Sequence, residues 1–138
     1  YYLRNLGFKV CGYKELQNMK NPNLNKIFKE YQVCCLPAWK LGLLEDYKSD
    51  LFINVVSFQE MESKQSKNYI NIIKKSIKQI IYLHNSVGHQ KAEQKNMFGA
   101  LNPTTKLSIE NELKSDFKIK ASHVWGGQYQ TLFLKKSL

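Results

Sequence analysis

The stretch LFINVVS at residues 51–57 decides the fold. It is almost continuously apolar and β-branched, which is typical of a strand covered on both faces. An amphipathic helix is predicted over residues 62–78, because apolar residues there recur at three- and four-residue spacing. The run QIIYLH at residues 79–84 predicts a second buried strand. Strand, helix and strand in this order indicate a βαβ unit with parallel pairing in a three-layer α/β arrangement.

The C-terminal part of the sequence has a different pattern. Residues 107–114 (LSIENELK) predict a short helix. Residues 117–125 (FKIKASHVW) and 129–135 (YQTLFLK) flank a GGQ turn, which predicts an antiparallel hairpin. A parallel α/β sheet that ends in an antiparallel hairpin is uncommon, so this combination narrows the fold class.

The N-terminal part is less regular. Residues 1–6 are typical of a helix end, and residues 8–13 predict a short strand. The polar segment 17–26 predicts a loop. Residues 31–36 predict a strand that Pro37 ends. The total of 138 residues is enough for one domain and too few for two.

The basic composition raises the question of a polyanion partner. The formal net charge is +10, yet Arg4 is the only arginine among 21 basic residues. Recognition of phosphates and base edges favours the planar fork of arginine, so we expect no nucleic-acid partner. The alternative is a non-catalytic binding module for nucleic acid or another polyanion. Its lysines would come from the segment 86–106 and from the predicted helix: Lys91, Lys95, Lys64, Lys67, Lys74, Lys75 and Lys78.

The cysteines indicate a reducing compartment. Three cysteines with no C-x-x-C spacing do not form a disulfide framework. Cys34 and Cys35 are adjacent in an apolar run, which predicts buried thiols on opposite faces of a strand. We therefore expect reduced cysteines and a cytoplasmic protein. No apolar run is long enough for a transmembrane helix, no signal peptide is visible, and we expect no membrane partner.

Six segments carry a resemblance to a known family. They are YYL at 1–3, LPAWKL at 36–41, DLFINVVSFQEM at 50–61, NYI at 68–70, YLHNSVGH at 82–89 and HVWGGQYQTLF at 123–133. Together they span nearly the whole chain, and the segment at 50–61 is the most specific. The sequence resembles the sugar O-methyltransferases, a family of class I S-adenosylmethionine-dependent methyltransferases with a Rossmann-like fold.

The resemblance implies S-adenosylmethionine as cofactor and methyl donor, and a sugar or glycan hydroxyl as acceptor. It also implies the strand order 3-2-1-4-5-7-6 with an antiparallel seventh strand. On that template, residues 31–36, 50–57 and 79–84 are the third, fourth and fifth strands, and the hairpin is the sixth and seventh. The sequence has no G-x-G turn to approach the methionine part of the cofactor. We therefore expect residues 1–138 to be a single, N-terminally incomplete methyltransferase domain, the C-terminal half, inactive by itself.

Ligands of open parallel sheets bind beyond the carboxyl ends of the strands. Three segments follow predicted strands at that end: residues 36–39, 57–61 and 84–89. The resemblance implies that Leu36 and Trp39 border the adenine, although Trp39 packing in the core is an equal alternative. Ser57 follows the fourth strand and is the third candidate for cofactor binding. The candidates for substrate binding are the polar residues that follow the fourth and fifth strands: Gln59, Asn85 and His89.

Methyl transfer to a hydroxyl needs a group that accepts the hydroxyl proton, and Glu60 and His84 are the candidates. The spacing of Ser57 and Glu60 also fits a capping box at the start of a helix, and both roles stay open. His123 lies on the predicted hairpin, where it could face the acceptor side, but a packed strand residue is the preferred interpretation. The spacing of His84 and His89 is not that of metal ligands on one helix face, and no carboxylate cluster accompanies them, so no metal site is predicted.

Overall fold

The computed structural model describes residues 1–86, 100–127 and 129–137. Contacts divide the chain into two units, residues 1–48 and residues 49–138. Each unit has a hydrophobic core of its own. The single domain predicted from the length stays a prediction.

The first unit is built around a pair of two-residue parallel strands. Its elements are α1 (Tyr2–Asn5), β1 (Val10–Cys11), α2 (Tyr13–Gln17), α3 (Leu24–Glu30), β2 (Val33–Cys34) and a 3₁₀ helix (Ala38–Leu44). The strands β1 and β2 pair with Cys11 beside Cys34. The core consists of Cys11, Leu16, Leu24 and Ile27, which are all buried.

Two expectations for this unit need correction. The loop predicted over 17–26 is interrupted by the start of α3, because the Asn23 side chain accepts a 3.2 Å hydrogen bond from the Lys26 N–H and caps the helix. The strand predicted over 31–36 is only two residues long. It pairs with β1 in parallel. The short strand predicted within 8–13 is confirmed.

The expectation of two buried thiols at Cys34 and Cys35 is also wrong. Cys34 is half-buried and Cys35 is exposed, while Cys11 is buried. A two-residue strand in a two-stranded sheet is too short to cover both neighbouring thiols, and Cys35 lies beyond its end. Burial raises the pKa of the Cys34 thiol to about 12, and burial also raises the pKa of Cys11, which hydrogen-bonds Cys34.

The second unit contains a four-stranded sheet. Its elements are β3 (Ser49–Val55), a 3₁₀ helix (Phe58–Glu60), α4 (Ser63–Ser76), β4 (Ile77–Ser86), α5 (Lys106–Leu113), β5 (Phe117–Trp125) and β6 (Tyr129–Lys136). The strand order is β3-β4-β6-β5, with β3 and β4 parallel and β6 antiparallel to both neighbours. The predicted parallel pair with its intervening helix, the hairpin and the order 4-5-7-6 are therefore confirmed.

The helices α4 and α5 share one core with one face of the sheet. The amphipathic pattern of α4 places Ile70 and Ile73 in this core, and α5 contributes Ile109 and Leu113. Side chains alternate along a strand, so the strand residues in this core lie on the same face of the sheet. They are Ile77, Ile81, Leu83, Phe117, Leu132 and Leu134.

The expectation that β3 is covered on both faces is wrong. Leu51, Ile53 and Val55 are 48%, 59% and 54% exposed, whereas Phe52 packs against the core and Asn54 is buried. Within the described part of the second unit, α4 and α5 pack on one face only, so it has two layers rather than the predicted three. An apolar, β-branched run reflects strand propensity as well as burial, and the sequence did not separate the two.

Candidate active site

The turn after β3 carries the first sign of a functional site. Val56 has a φ of 55°, in the left-handed region that β-branched residues rarely adopt. Its N–H donates a 2.7 Å hydrogen bond to the carbonyl of His84 on β4, which holds this conformation. Backbone strain of this kind is concentrated at functional sites. It lies here at the carboxyl ends of two parallel strands, where ligands of such sheets bind.

A buried amide pair supports the same turn. The Asn54 amide donates a hydrogen bond to Ser57 Oγ, and the Asn85 amide donates to Asn54 Oδ1 at 3.1 Å. Asn54 and Asn85 are buried on the face of the sheet that packs against the helices. Ser57 Oγ accepts from Asn54, so its own O–H proton is left to donate to a ligand.

Gln59 links the turn after β3 to the end of β4. Its Oε1 accepts a hydrogen bond from the Ser86 N–H, and its Nε2 donates to Glu60 Oε1 at 3.0 Å. The exposed Glu60 carboxylate is thereby held near the carboxyl end of β4. The alternative capping box does not form: Ser57 precedes a 3₁₀ helix and makes no side-chain cap bond, and α4 begins at Ser63.

His84, the other candidate base, is half-buried on the opposite face of the sheet from Asn85. Its Nδ1 lies 2.9 Å from Thr131 Oγ1 on β6, and its ring stacks on Tyr129 at 5.5 Å between centroids. The structure thus brings Glu60 and His84 to the same end of the sheet. There Glu60 is hydrogen-bonded to Gln59, and His84 is hydrogen-bonded to Thr131. That they border one cleft stays a prediction.

The remaining candidates lie elsewhere. Leu36 packs against the core of the first unit, and Trp39, 73% exposed, makes an edge contact with Tyr13 at 6.2 Å. His89 lies outside the described residues. The interpretation of His123 as a packed residue is wrong, because His123 is exposed; its ring and that of Trp125 are T-shaped, with centroids 4.4 Å apart.

A small cavity lies beside the carboxyl end of β4 and the amino end of β6. It measures about 20 Å³ and is lined by Asn85, Gln130 and Lys106 among others. Asn85 Oδ1 and Gln130 Oε1 are buried and have no hydrogen-bond partner among the described residues. The volume suffices for one water molecule, which could accommodate these two acceptors.

Sequence reasoning missed two important groups. The Glu62 carboxylate accepts hydrogen bonds from the N–H groups of Leu101 (2.6 Å) and Asn102 (3.0 Å), which fixes the chain before α5. Thr131 contacts His84 across strands that are far apart in sequence. The alternation of side chains along the hairpin strands could have placed Thr131 on the same face as His123. Only the register between β4 and β6 shows that Thr131 also lies beside His84.

Neither a metal centre nor a membrane span emerges from the described residues. Across residues 1–86, 100–127 and 129–137, no three His, Cys, Asp or Glu side chains converge where a metal ion could bind. No helix in the same ranges is long and apolar enough to cross a bilayer.

Comparison with solved structures identifies the fold. The PH0226 protein from Pyrococcus horikoshii OT3 matches with a TM-score of 0.56 at 11% identity, over 99% of this chain and 75% of that chain. Magnesium protoporphyrin IX methyltransferase (ChlM) from Synechocystis PCC 6803, solved with bound SAH, matches at 0.53 and 10% identity, over 99% and 79% of the two chains. A protein from Sulfolobus solfataricus described as a type 11 methyltransferase matches at 0.50 and 14%, over 99% and 90%.

No protein-family profile and no curated protein sequence matches the chain. At these sequence identities the structural likeness shows the fold alone. That fold is the Rossmann-like α/β fold of the class I methyltransferases, as the family resemblance implied.

Proposed function

We propose that this chain is part of an S-adenosylmethionine-dependent O-methyltransferase that acts on a sugar hydroxyl. The strand order β3-β4-β6-β5, with β6 antiparallel, carries the proposal, because it is the order that the class I methyltransferase template implies. The strained turn at Val56 and the polar side chains beside it lie at the carboxyl end of this sheet. The sugar acceptor rests on the resemblance of the sequence segments.

The residues present fit one side of the cofactor. S-adenosylmethionine, when bound, supplies an electrophilic methyl group on a positively charged sulfonium. The Glu60 carboxylate favours a cation nearby, and the Ser57 hydroxyl can donate to an oxygen or nitrogen of the cofactor. The G-x-G turn is lacking from the sequence, so these residues would supply only part of the binding energy.

The sugar hydroxyl must lose its proton as the methyl group is transferred, and Glu60 and His84 are the groups that can accept it. Gln59 positions Glu60 by bonding both its carboxylate and the backbone of Ser86. Thr131 positions the His84 ring. Positioning of this kind supplies much of the rate in a displacement reaction.

The alternative, a module that binds polyanions, gains no support from α4. Lys67 pairs with Glu112 at 2.8 Å and Lys74 pairs with Asp116 at 2.7 Å, so two of its lysines are already neutralised by carboxylates. The remaining lysines of α4 are not a local enrichment, because lysine is common along the whole chain.

Two measurements test the proposal. Calorimetric titration of the 138-residue chain should show weak binding of S-adenosylmethionine or none, because missing ribose contacts alone cost about two orders of magnitude in affinity. Micromolar binding would contradict the expectation of an incomplete cofactor site.

Methyl transfer from labelled S-adenosylmethionine to a panel of methyl glycosides is measured with the longest product of the gene. It should be lost in Glu60→Gln or His84→Asn at unchanged stability. Absence of transfer to every sugar would overturn the proposal.

A further inference from the structure

Four rings cluster on the open face of the sheet near its carboxyl end. They belong to His84, His123, Trp125 and Tyr129, and Thr131 lies among them. In the strand register, His84 pairs with Thr131 and Thr131 with His123, while Trp125 pairs with Tyr129. Paired residues project from the same face, so this aromatic cluster lies opposite the helices.

Thr131 Oγ1 is the centre of this cluster. Trp125 Nε1 donates to it at 3.0 Å, and His84 Nδ1 lies 2.9 Å from it. A threonine oxygen can accept two hydrogen bonds, so His84 can donate from Nδ1 and present Nε2 as an acceptor. Among the described residues, His84 Nε2 has no hydrogen-bond partner.

The ring arrangement leaves flat aromatic surface facing solvent. The His84 and Tyr129 rings are within 5° of parallel, and the His123 ring contacts Trp125 at 4.4 Å in an edge arrangement. Trp125 is 56% exposed although its indole N–H is already satisfied by Thr131. Trp125 therefore keeps exposed surface beyond its satisfied N–H, and the face of an aromatic ring carries partial negative charge that attracts weakly positive C–H groups.

The chemistry of a matching ligand follows from these properties. A pyranose ring offers a flat patch of C–H groups for the π-face and hydroxyls at its rim for the imidazoles. A cationic ring is disfavoured, because the chain carries a net charge of +10 and two histidines line the cluster. The ligand class is thus a neutral or acidic sugar.

We propose that the aromatic cluster is the acceptor subsite, in which a sugar ring stacks on Trp125 with one hydroxyl directed to His84 Nε2. The inference rests on the proposed function for the reaction that follows binding. In that reaction a C–O bond forms between the acceptor oxygen and the methyl carbon while the S–C bond breaks. The hydroxyl proton passes to His84 Nε2, and the positive charge moves from the sulfonium to the imidazolium. Thr131 is a positioning residue.

Direct binding tests the subsite without methyl transfer. The full chain contains two tryptophans, so NMR of labelled protein shows two indole N–H signals, and Trp39 serves as an internal reference. We expect methyl glucopyranoside, methyl mannopyranoside or methyl glucuronide to shift the Trp125 signal saturably, with a Kd of about 1–10 mM, and to leave the Trp39 signal unchanged. Thr131→Val should weaken binding about tenfold.

Two variants and one competitor make the result decisive. Trp125→Ala, followed through the His84 ring protons, should abolish binding. Val124 is 50% exposed, close to the 56% of Trp125, and lies on the other face of β5, so Val124→Ala should leave binding intact. Absence of a saturable shift with all three sugars, or a shift only with a single-stranded oligonucleotide, would overturn the subsite. If the longest product of the gene binds a sugar at Trp125 but transfers no methyl group, the proposed function alone is overturned. If that product methylates a sugar that leaves the Trp125 signal unchanged, the subsite alone is overturned.

Discussion

The side-chain amide of Asn85 donates a 3.1 Å hydrogen bond to the amide oxygen of Asn54 across the parallel strands β3 and β4, and both residues are buried. Asn54 in turn donates to Ser57, the first polar residue beyond the strained Val56. A buried polar pair in the core therefore supports the turn that we place at the active site. Such a pair stabilises the fold only while each donor keeps its acceptor.

Asn54→Ala should lower the free energy of unfolding by about 1–3 kcal/mol, because the buried Asn85 donor loses its acceptor. Urea unfolding followed by circular dichroism measures the change. Asn68→Ala on the exposed side of α4 is the matched control and should change stability by less than about 0.5 kcal/mol. Equal effects of the two substitutions would contradict the role of the buried pair.

Glu62→Ala should destabilise the second unit by about 1.5–3 kcal/mol, because the N–H groups of Leu101 and Asn102 lose a charged acceptor. Their amide hydrogens should exchange faster in the variant. Glu60→Ala removes a carboxylate two residues away that bonds only the Gln59 side chain among the described residues, so its stability should be close to that of the original chain. If Glu60→Ala proves as destabilising as Glu62→Ala, Glu60 has a structural role.

Asp116 should stabilise the chain at neutral pH and lose this effect in acid. The hydrogen bonds from Lys74 and Ser115 hold the pKa of Asp116 below its ordinary value. A carboxyl with a lowered folded-state pKa stabilises the fold above its unfolded pKa, and the contribution disappears as pH falls through the folded value. Because Asp116 is partly exposed, we expect Asp116→Asn to cost only about 0.5–1 kcal/mol at pH 7.

The difference between Asp116→Asn and the original chain should vanish near about pH 2, where both side chains are uncharged. Asp46→Asn makes the same charge change at an exposed position in the first unit and serves as the control. A stability difference that persists unchanged into acid would show that the ion pair with Lys74 is not its cause.

The three thiols should react at different rates. Cys35 is exposed, whereas burial raises the pKa of the Cys34 thiol to about 12, so at about pH 8 its thiolate fraction is roughly a thousandfold below that of an ordinary cysteine. We expect one fast thiol toward a chromogenic disulfide reagent in the native protein and three in urea. Cys35→Ser should remove the fast phase, and a fast phase that survives this substitution would assign it to another thiol.

Local pattern was sufficient for most of the second unit. The predicted bounds of β3, β4 and α4 were correct within a few residues. The spacing of apolar residues that distinguishes a strand from a helix involves only residues close together in the sequence. The hairpin followed from its glycines: Gly126 and Gly127 have φ values of 55° and 70°, which side chains rarely tolerate. The capping of α3 by Asn23 was missed, since the same polar residues are common in loops.

By itself, the sequence determined the α/β class, the parallel β3–β4 pair and the residues at the carboxyl ends of the strands, since these depend on neighbours along the chain. The tertiary structure alone decided that Asn85 faces the core while His84 faces Thr131, because a strand sends successive side chains to opposite faces and only the sheet register says which neighbour each one meets. It also decided that Leu51, Ile53 and Val55 are exposed. Burial depends on which elements pack on a face, and residues distant in sequence supply those elements.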